Sequence, residues 1–274
     1  MASTRLREPA PVRWGLRSLA IVYVFLLVLW PVSLVVKYTF ADGLTAMTTA
    51  LSDPAVTHAL KMSVIVTAFS VVINLFFGVG MSLLLVRYMF PGKRVLSALL
   101  DVPLSVSPIV VGLALILVYN PRTGLFGRGL DAAGIQVIFA LPGMIMATVF
   151  VALPLMIREV VPVLTEIGDD QEQASRSLGG NALQTFRRIT LPSIKWAVVY
   201  GVVLTVARSL GEFGAVKVVS GNILEQTQTA TQVVESKYQG FDQPSAYATA
   251  FLLASASVLC IVVVNILRRR GEQR

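Results

Sequence analysis

The sequence predicts an all-α membrane protein with six transmembrane helices and both termini in the cytoplasm. Three observations lead to this fold class. The composition is too apolar for a soluble domain, since 55% of the 274 residues are hydrophobic, 14% are charged and the mean hydropathy is +0.74. The apolar residues are gathered into six long runs, and the basic residues are concentrated in every second connection between those runs.

Each apolar run is close to the ~20 residues that a helix needs to cross a hydrocarbon core of ~30 Å. The runs are residues 19–36, 62–86, 95–119, 135–157, 196–219 and 246–267. We expect the first run to be retained as a helix, because it is too long for a signal-peptide core and no Ala-x-Ala site follows it. The predicted domains are a cytoplasmic segment (1–18), one transmembrane domain (19–267, with its core at about 59–267) and a cytoplasmic tail (268–274).

The distribution of basic residues predicts the orientation. Of the 23 Lys and Arg residues, sixteen lie on one side of the predicted spans, six lie on the other side, and Arg208 lies within the fifth run. Cytoplasmic connections carry the excess of basic residues in membrane proteins, so both termini are predicted to be cytoplasmic. The net charge of +8 thus follows from topology and indicates no nucleic-acid partner.

The chain offers few side chains for catalysis or metal binding. His58 and Cys260 are its only histidine and cysteine, so neither a metal cluster nor an internal disulfide is expected. The phosphate-loop pattern is absent, because Gly92 and Lys93 lack its upstream glycine and its following hydroxyl residue. A Ser-His-acid arrangement is not expected around a single histidine on the external side. We therefore predict no catalytic residue, no metal site and no bound cofactor on this chain.

The longest predicted cytoplasmic connection, 158–195, is patterned as helix and not as coil. Its apolar residues recur at helical spacing, and a pair of glycines beginning at Gly179 ends the first helix. Asn181 is placed to cap a second short helix over 182–189. Pro192 suits the first turn of the fifth span.

This connection resembles the cytoplasmic EAA loop of importer permeases in the ATP-binding-cassette (ABC) superfamily. That pattern is Glu-Ala-Ala, three residues, a glycine, nine residues and Ile-x-Leu-Pro. The positions aligned with it are Glu172, Ala174, Gly179, Ile189, Leu191 and Pro192, and Gln173 replaces the first alanine. The resemblance implies a coupling helix that docks on an ATPase subunit. We expect Glu172, Arg187 and Arg188 to form charge-assisted bonds across that interface.

Two further segments narrow the resemblance. Residues 101–112 look like the Pro-x-x-x-Ser-Pro-x-x-x-Gly segment of sulfate permeases, and residues 208–216 look like their Gly-Glu-Phe-Gly-Ala-Val segment. The likeness is to CysW-type subunits of sulfate/thiosulfate importers. Because Gly-Glu-Phe-Gly also occurs in molybdate permeases, the oxyanion class is better supported than the anion itself.

The resemblance implies a fold, partners and a location. The fold is the type I ABC importer (MetI-like) permease core in a bacterial plasma (inner) membrane. The expected partners are a second, non-identical permease of CysT type, an ABC ATPase dimer that holds ATP and Mg, and an extracytoplasmic sulfate-binding protein. This chain is then a subunit of an ATP-driven importer and is not an enzyme by itself.

Four residues are candidates for a translocation pathway. Arg208 and Glu212 are four residues apart, and Arg208 is predicted roughly 18 Å into the fifth span, where an ionisable group costs on the order of 3 kcal/mol. They form either a structural ion pair or a positive group for a passing oxyanion. Ser105 and Ser107, in a helix interrupted by prolines, are the second pair of candidates.

Three alternatives remain open on the sequence. A homodimeric molybdate or tungstate permease would share the fold. An ion-coupled secondary transporter would need inward-facing acids or inverted half-repeats, whereas Glu212 is the one acid well inside a predicted span and no half-repeat is evident. An integral membrane enzyme would need a catalytic constellation, which the sequence lacks.

Overall fold

The computed structural model describes residues 10–41 and 43–271, and these residues form helices and their connections. The predicted cytoplasmic ends therefore lie partly outside the described residues, over 1–9 and 272–274. The helices of the described part are α1 (Ala10–Val24), α2 (Trp30–Thr39), α3 (Thr45–Ser52), α4 (Pro54–Arg87), α5 (Lys93–Ser105), α6 (Pro108–Tyr119), α7 (Gly127–Ala132), α8 (Leu141–Ile167), α9 (Asp170–Ser177), α10 (Ala182–Thr185), α11 (Leu191–Leu210), α12 (Gly214–Ser220), α13 (Ala230–Gln239) and α14 (Gln243–Gly271). Two π-helical segments, Phe25–Leu29 and Phe186–Thr190, join α1 to α2 and α10 to α11.

Five of the described helices are long and apolar enough to cross a membrane, and a bent pair makes a sixth span if it is counted as one. The five are Trp14–Thr39, Pro54–Arg87, Leu141–Ile167, Ala182–Leu210 and Gln243–Val262. The number and order of spans agree with the prediction, but the third span is not a straight helix. Its halves, α5 and α6, are bent by 113°. Pro108 opens α6 and holds the preceding residue Ser107 in an extended conformation (ψ 134°), which breaks the helix there.

The fifth predicted span also differs from the structure. We expected one helix over 196–219, but α11 ends at Leu210 and α12 begins only at Gly214. Arg208 therefore lies in the last turn of a helix and not in the middle of a continuous one. Glu212 lies beyond the end of α11, so it does not share a helix face with Arg208 in the way that the spacing predicts.

In the connection between α8 and α11, the structure confirms the predicted order of helix, glycine break and helix. Asn181 forms a capping box with Gln184, as its position predicted. The predicted short helix over 182–189 is not separate, however, because it continues through the π-helical segment into α11. The N–H of Leu191 donates to the carbonyl of Phe186, five residues back, and Pro192 has no N–H with which to restore the α-helical pattern.

The core is formed by α4, α8 and α11, which pack against one another. They pack tightly at Met156 of α8, which faces a glycine on each of the other helices. A Cβ atom on Gly78 would lie 2.5 Å from Met156 Cγ, and one on Gly201 would lie 2.4 Å from Met156 Sδ. Small residues therefore allow the three backbones to approach closely, as membrane helices commonly require.

The first span stands apart from this core. None of the residues in its most apolar window is buried within the chain. Its C-terminal end touches α14 through two aromatic pairs, Tyr38 with Tyr247 and Phe40 with Phe251, at centroid distances of 5.3 and 5.2 Å. On the same side of the molecule, α13 packs against α4 and α14.

Candidate functional site

A largely buried ion pair anchors helix α9 to the spans. Glu172 lies in the first turn of α9, and Arg87 is the last residue of α4. Arg87 Nε is 3.0 Å from Glu172 Oε2, and the two side chains are only 12% and 11% exposed. Thr190 Oγ1, at the end of the π-helical segment, donates to Glu172 Oε1 over 2.8 Å. The carboxylate thus joins α9 to α4 and to the entry of α11.

The same guanidinium also binds the end of α8. Arg87 Nη1 donates to the carbonyl of Leu164 (3.0 Å), and Nη2 donates to that of Gly168 (2.7 Å). The last carbonyls of a helix have no partner within it and carry partial negative charge, so a cation is favourable there. Gly168 ends α8 at φ +71°, a conformation that favours glycine. One arginine therefore satisfies the α8 terminus and the Glu172 carboxylate together.

This placement corrects the expected role of Glu172. We expected its carboxylate to bond across a partner interface, but it is bonded inside the chain. The motif register explains the difference, because three residues separate Ala-Ala from glycine in the pattern whereas four separate Ala174 from Gly179. Counted back from that glycine, the first motif position is Gln173, which is exposed, and Glu172 precedes it. Sequence reasoning missed Arg87 because its partner is 85 residues away.

The side of this connection that faces away from the Glu172 ion pair is exposed to solvent. Gly179 adopts φ +85°, which turns the chain sharply between α9 and α10, and Ser175 Oγ bonds Thr185 Oγ1 (2.9 Å) across the turn. Helix α9 on one side and α10 with the π-helical segment on the other form a hairpin (residues 170–190). The hairpin encloses a concavity of about 550 Å³, which is lined by Gln171, Ala174, Ser175, Leu178, Gly179, Gly180, Gln184, Arg188 and Ile189. Arg187 and Arg188 are exposed beside it. Leu178 and Leu183 are 89% and 63% exposed, so the hairpin presents unpartnered apolar side chains.

The motif's C-terminal positions lie where the hairpin enters the membrane helix. Ile189 is half-buried in the π-helical segment, and Leu191 and Pro192 form the first turn of α11. The motif therefore extends from the exposed hairpin into the start of a span.

The two helix breaks, one between α5 and α6 and the other between α11 and α12, lie side by side. A Cβ on Gly214 would be 3.1 Å from Pro108 Cβ and 3.3 Å from Ile109 Cγ1, and a Cβ on Gly112 would be 2.8 Å from the carbonyl oxygen of Ala215. The helices α6 and α12 therefore run in the same direction and begin at the same level. Glycines at these contacts permit the close packing.

The four pathway candidates are distributed over these two breaks. Ser105 and Ser107 are exposed at the bend between α5 and α6. Arg208 Nη1 and Glu212 Oε2 form an ion pair at 2.7 Å, in which the Glu212 side chain is 2% exposed and that of Arg208 is 35% exposed. The N–H of Ala215 donates to Glu212 Oε1 (3.0 Å), so the carboxylate also caps α12. The structure thus pairs Arg208 with Glu212 across the end of α11, and it leaves the arginine partly accessible.

The described residues thus form an all-helical membrane protein with broken spans and a helical hairpin at one end. The solved structure of a bacterial ABC transporter involved in the import of the acidic polysaccharide alginate contains a chain with the same fold. The TM-score is 0.79 at 15% identity, covering 94% of this chain and 95% of that chain.

The chain belongs to the family described as the binding-protein-dependent transport system inner membrane component, which matches residues 74–274. It is 42% identical over 260 residues to the sulfate transport system permease protein CysW of Synechococcus elongatus, covering 94% of this chain and 91% of that protein. It is 34% identical over 255 residues to the sulfate transport system permease protein CysT of Salmonella typhimurium, covering 93% and 92%. The chain is thus a multi-pass inner-membrane permease subunit of an ABC importer, as the sequence predicted.

Proposed function

We propose that this chain is the CysW-type permease subunit of an ABC importer that carries sulfate or thiosulfate into the cytoplasm. The observation that carries the proposal is the 42% identity to CysW of Synechococcus elongatus over 94% of the chain. The segments 101–112 and 208–216 add support, because they follow the sulfate-permease patterns. Both helix breaks that pack together lie within these two segments.

We propose the following assembly. A non-identical CysT-like permease completes the membrane unit, because this chain resembles both permease types at different identities. An ABC ATPase dimer holds ATP and Mg in the cytoplasm, and a sulfate-binding protein delivers the anion outside. Both termini face the cytoplasm, and residues 19–267 form the transmembrane domain.

The exposed hairpin is the proposed ATPase-docking surface. Ala174 and Gly179 line its concavity with small side chains, which leave room for a partner. Arg187 and Arg188 supply positive charge at its edge. The exposed Leu178 supplies an apolar contact. An apolar anchor with a charged rim is a common arrangement in protein interfaces.

The two adjacent breaks are the proposed translocation pathway. Ser105 and Ser107 provide hydroxyl donors at one break, and Arg208 provides a cation at the other, with its charge offset by Glu212. A sulfate dianion must leave its site as readily as it enters. A paired arginine and neutral donors bind it more weakly than an unpaired basic cluster would.

The test is reconstitution of the complete importer in proteoliposomes, followed by ATPase and uptake assays with the loaded binding protein. We expect sulfate or thiosulfate to stimulate ATP hydrolysis and to accumulate, and molybdate to do neither. Stimulation by molybdate or tungstate alone would assign the chain to the alternative oxyanion class. Uptake that persists with an ATPase-dead partner would instead support an ion-coupled secondary transporter.

A further inference from the structure

We propose that Arg87 is the positioning residue that transmits movement of the cytoplasmic hairpin to the membrane spans. This inference rests on the proposed importer function and concerns how that function is coupled. Arg87 is the last residue of α4, and its guanidinium bonds to Glu172 of α9 and to the carbonyls of Leu164 and Gly168 at the end of α8. It thus links the hairpin to two spans directly.

Helix α9 has a single buried anchor. Glu172 is the buried residue of this helix, whereas the neighbouring Gln171, Gln173 and Ala174 are exposed. A force applied to α9 by a docked partner therefore reaches the spans chiefly through the Glu172 carboxylate. That carboxylate is held by Arg87 and Thr190.

The guanidinium of Arg87 holds its partners in a fixed geometry. Its Nε, Nη1 and Nη2 atoms all donate, and Nη2 is shared between Gly168 (2.7 Å) and Glu172 (3.3 Å). A planar fork with several bonds fixes direction as well as distance, which a flexible ammonium group does not. The ends of α4 and α8 and the start of α9 therefore move as one body.

The Glu172 carboxylate is also connected to α11. Thr190 closes the π-helical segment that leads into this span, and it donates to the same carboxylate. Single-turn π-helical segments are rare and often mark places where a helix adjusts. Displacement of Glu172 is thereby passed to α11 at the point where that helix departs from α-helical hydrogen bonding. The cluster connects the hairpin to each of the three core helices.

The experiment measures anion taken up per ATP hydrolysed by the reconstituted importer. For Arg87→Gln we expect ATPase activity to persist while this ratio falls about tenfold, within the range usual for coupling between sites. Arg87→Lys keeps the charge but lacks the planar guanidinium, so the ratio should fall by a smaller factor in this variant. The matched control is Arg158→Gln, because Arg158 pairs with Asp101 at the surface, with side chains 61% and 53% exposed. The control should keep the wild-type ratio.

Two outcomes would overturn the proposal. One is a wild-type ratio in Arg87→Gln, and the other is an equal fall in the Arg158→Gln control. If Arg87→Gln fails to assemble, Arg87→Lys and Thr190→Val decide the question, because both retain the buried ion pair. A wild-type ratio in both would then reject the proposal. The anion preference of the wild-type complex is measured first, and this measurement alone tests the proposed function. The anion that the wild-type complex transports is then used for every variant, so the variants test only the role of Arg87.

Discussion

Two polar regions lie on the same long helix, α4, and they are built differently. At its C-terminal end, Arg87 is charged, only 12% exposed and bonded through each of its nitrogen atoms. In its middle, Thr67, Ser70 and Asn74 are neutral and buried, yet their side-chain polar atoms have no hydrogen-bond partner among the described residues. The side-chain polar atoms of the first region are all hydrogen-bonded, whereas those of the second region are not.

The difference indicates what each region can do. A buried charge without partners is prohibitively unfavourable, so the Arg87 cluster permits one arrangement of the helices around it. Neutral hydroxyl and amide groups carry a smaller penalty, and their unpaired atoms favour no single packing of α4 against α8 and α11. We infer that the helices are held rigidly around the C-terminal end of α4 and that their packing around its middle is adaptable.

The largest effect expected from this comparison is at Glu172. Glu172→Gln leaves the buried Arg87 charge uncompensated, and removal of one partner of a buried pair destabilises by about 3 kcal/mol. The free energy of unfolding, measured by denaturant titration of the purified complex, checks this. Asp101→Asn is the matched control, because its pair with Arg158 is exposed and should contribute only ~0–1 kcal/mol. Equal losses in the two variants would contradict the contrast between them.

The second expected effect distinguishes paired from unpaired groups on one face of α4. Ser63 Oγ accepts a hydrogen bond from the N–H of Ala230 (2.9 Å), so Ser63→Ala leaves that buried donor unsatisfied and should destabilise by about 1–2 kcal/mol. Asn74 is fully buried with both amide atoms unpaired, so Asn74→Leu should change stability by less than about 1 kcal/mol in either direction. The same titration compares the two variants. A larger loss in Asn74→Leu would show that its amide is bonded in solution.

The features that the sequence could predict are those set by local chemistry. Apolar runs of the right length locate the spans, and the spacing of basic residues predicts an orientation. Gly179 and Asn181 end and begin helices through their own backbone and side-chain preferences, so the hairpin was predictable in outline. The contact glycine Gly78, which faces Met156, was likewise visible as a small residue in an apolar run.

The features that the sequence did not predict depend on distant partners. An apolar run is equally apolar whether it is straight or bent, so the prolines indicated an interruption of the third span but not its 113° bend, and the break after Leu210 was not predicted. The bond between Arg87 and Glu172 joins residues 85 positions apart. Periodicity within either segment does not reveal such a pair. A charged residue at the end of an apolar run, together with an acid in a short polar helix, is the signal that could have suggested it.

The smallest expected effect is a pH dependence of stability at the opposite end of α4. The ionic cluster at that end is more exposed than the Arg87–Glu172 pair. Asp53 accepts from the N–H of Ala55 at the start of α4, and Lys237 of α13 bridges it to Asp242. The hydrogen bond from Lys237 lowers the pKa of Asp53 below its ordinary 3.8, and the bond to Asp53 raises the pKa of Lys237 above its ordinary 10.5.

The signs of these two shifts define the pH window. A lowered carboxyl pKa contributes stability that is present above pH 3.8 and is lost as the pH falls through the folded value, whereas a raised lysine pKa contributes stability that is present below pH 10.5 and is lost as the pH rises through the folded value. Lys237→Met should therefore lower stability by about 0.5–1 kcal/mol at pH 7. Its difference from wild type should stay constant across the neutral range. Thermal unfolding in detergent at pH 5, 7 and 9 measures this, and a difference that disappears within that range would assign the contribution to another group. Because this pair is partly exposed, it should also weaken with added salt, whereas the buried Arg87–Glu172 pair should not.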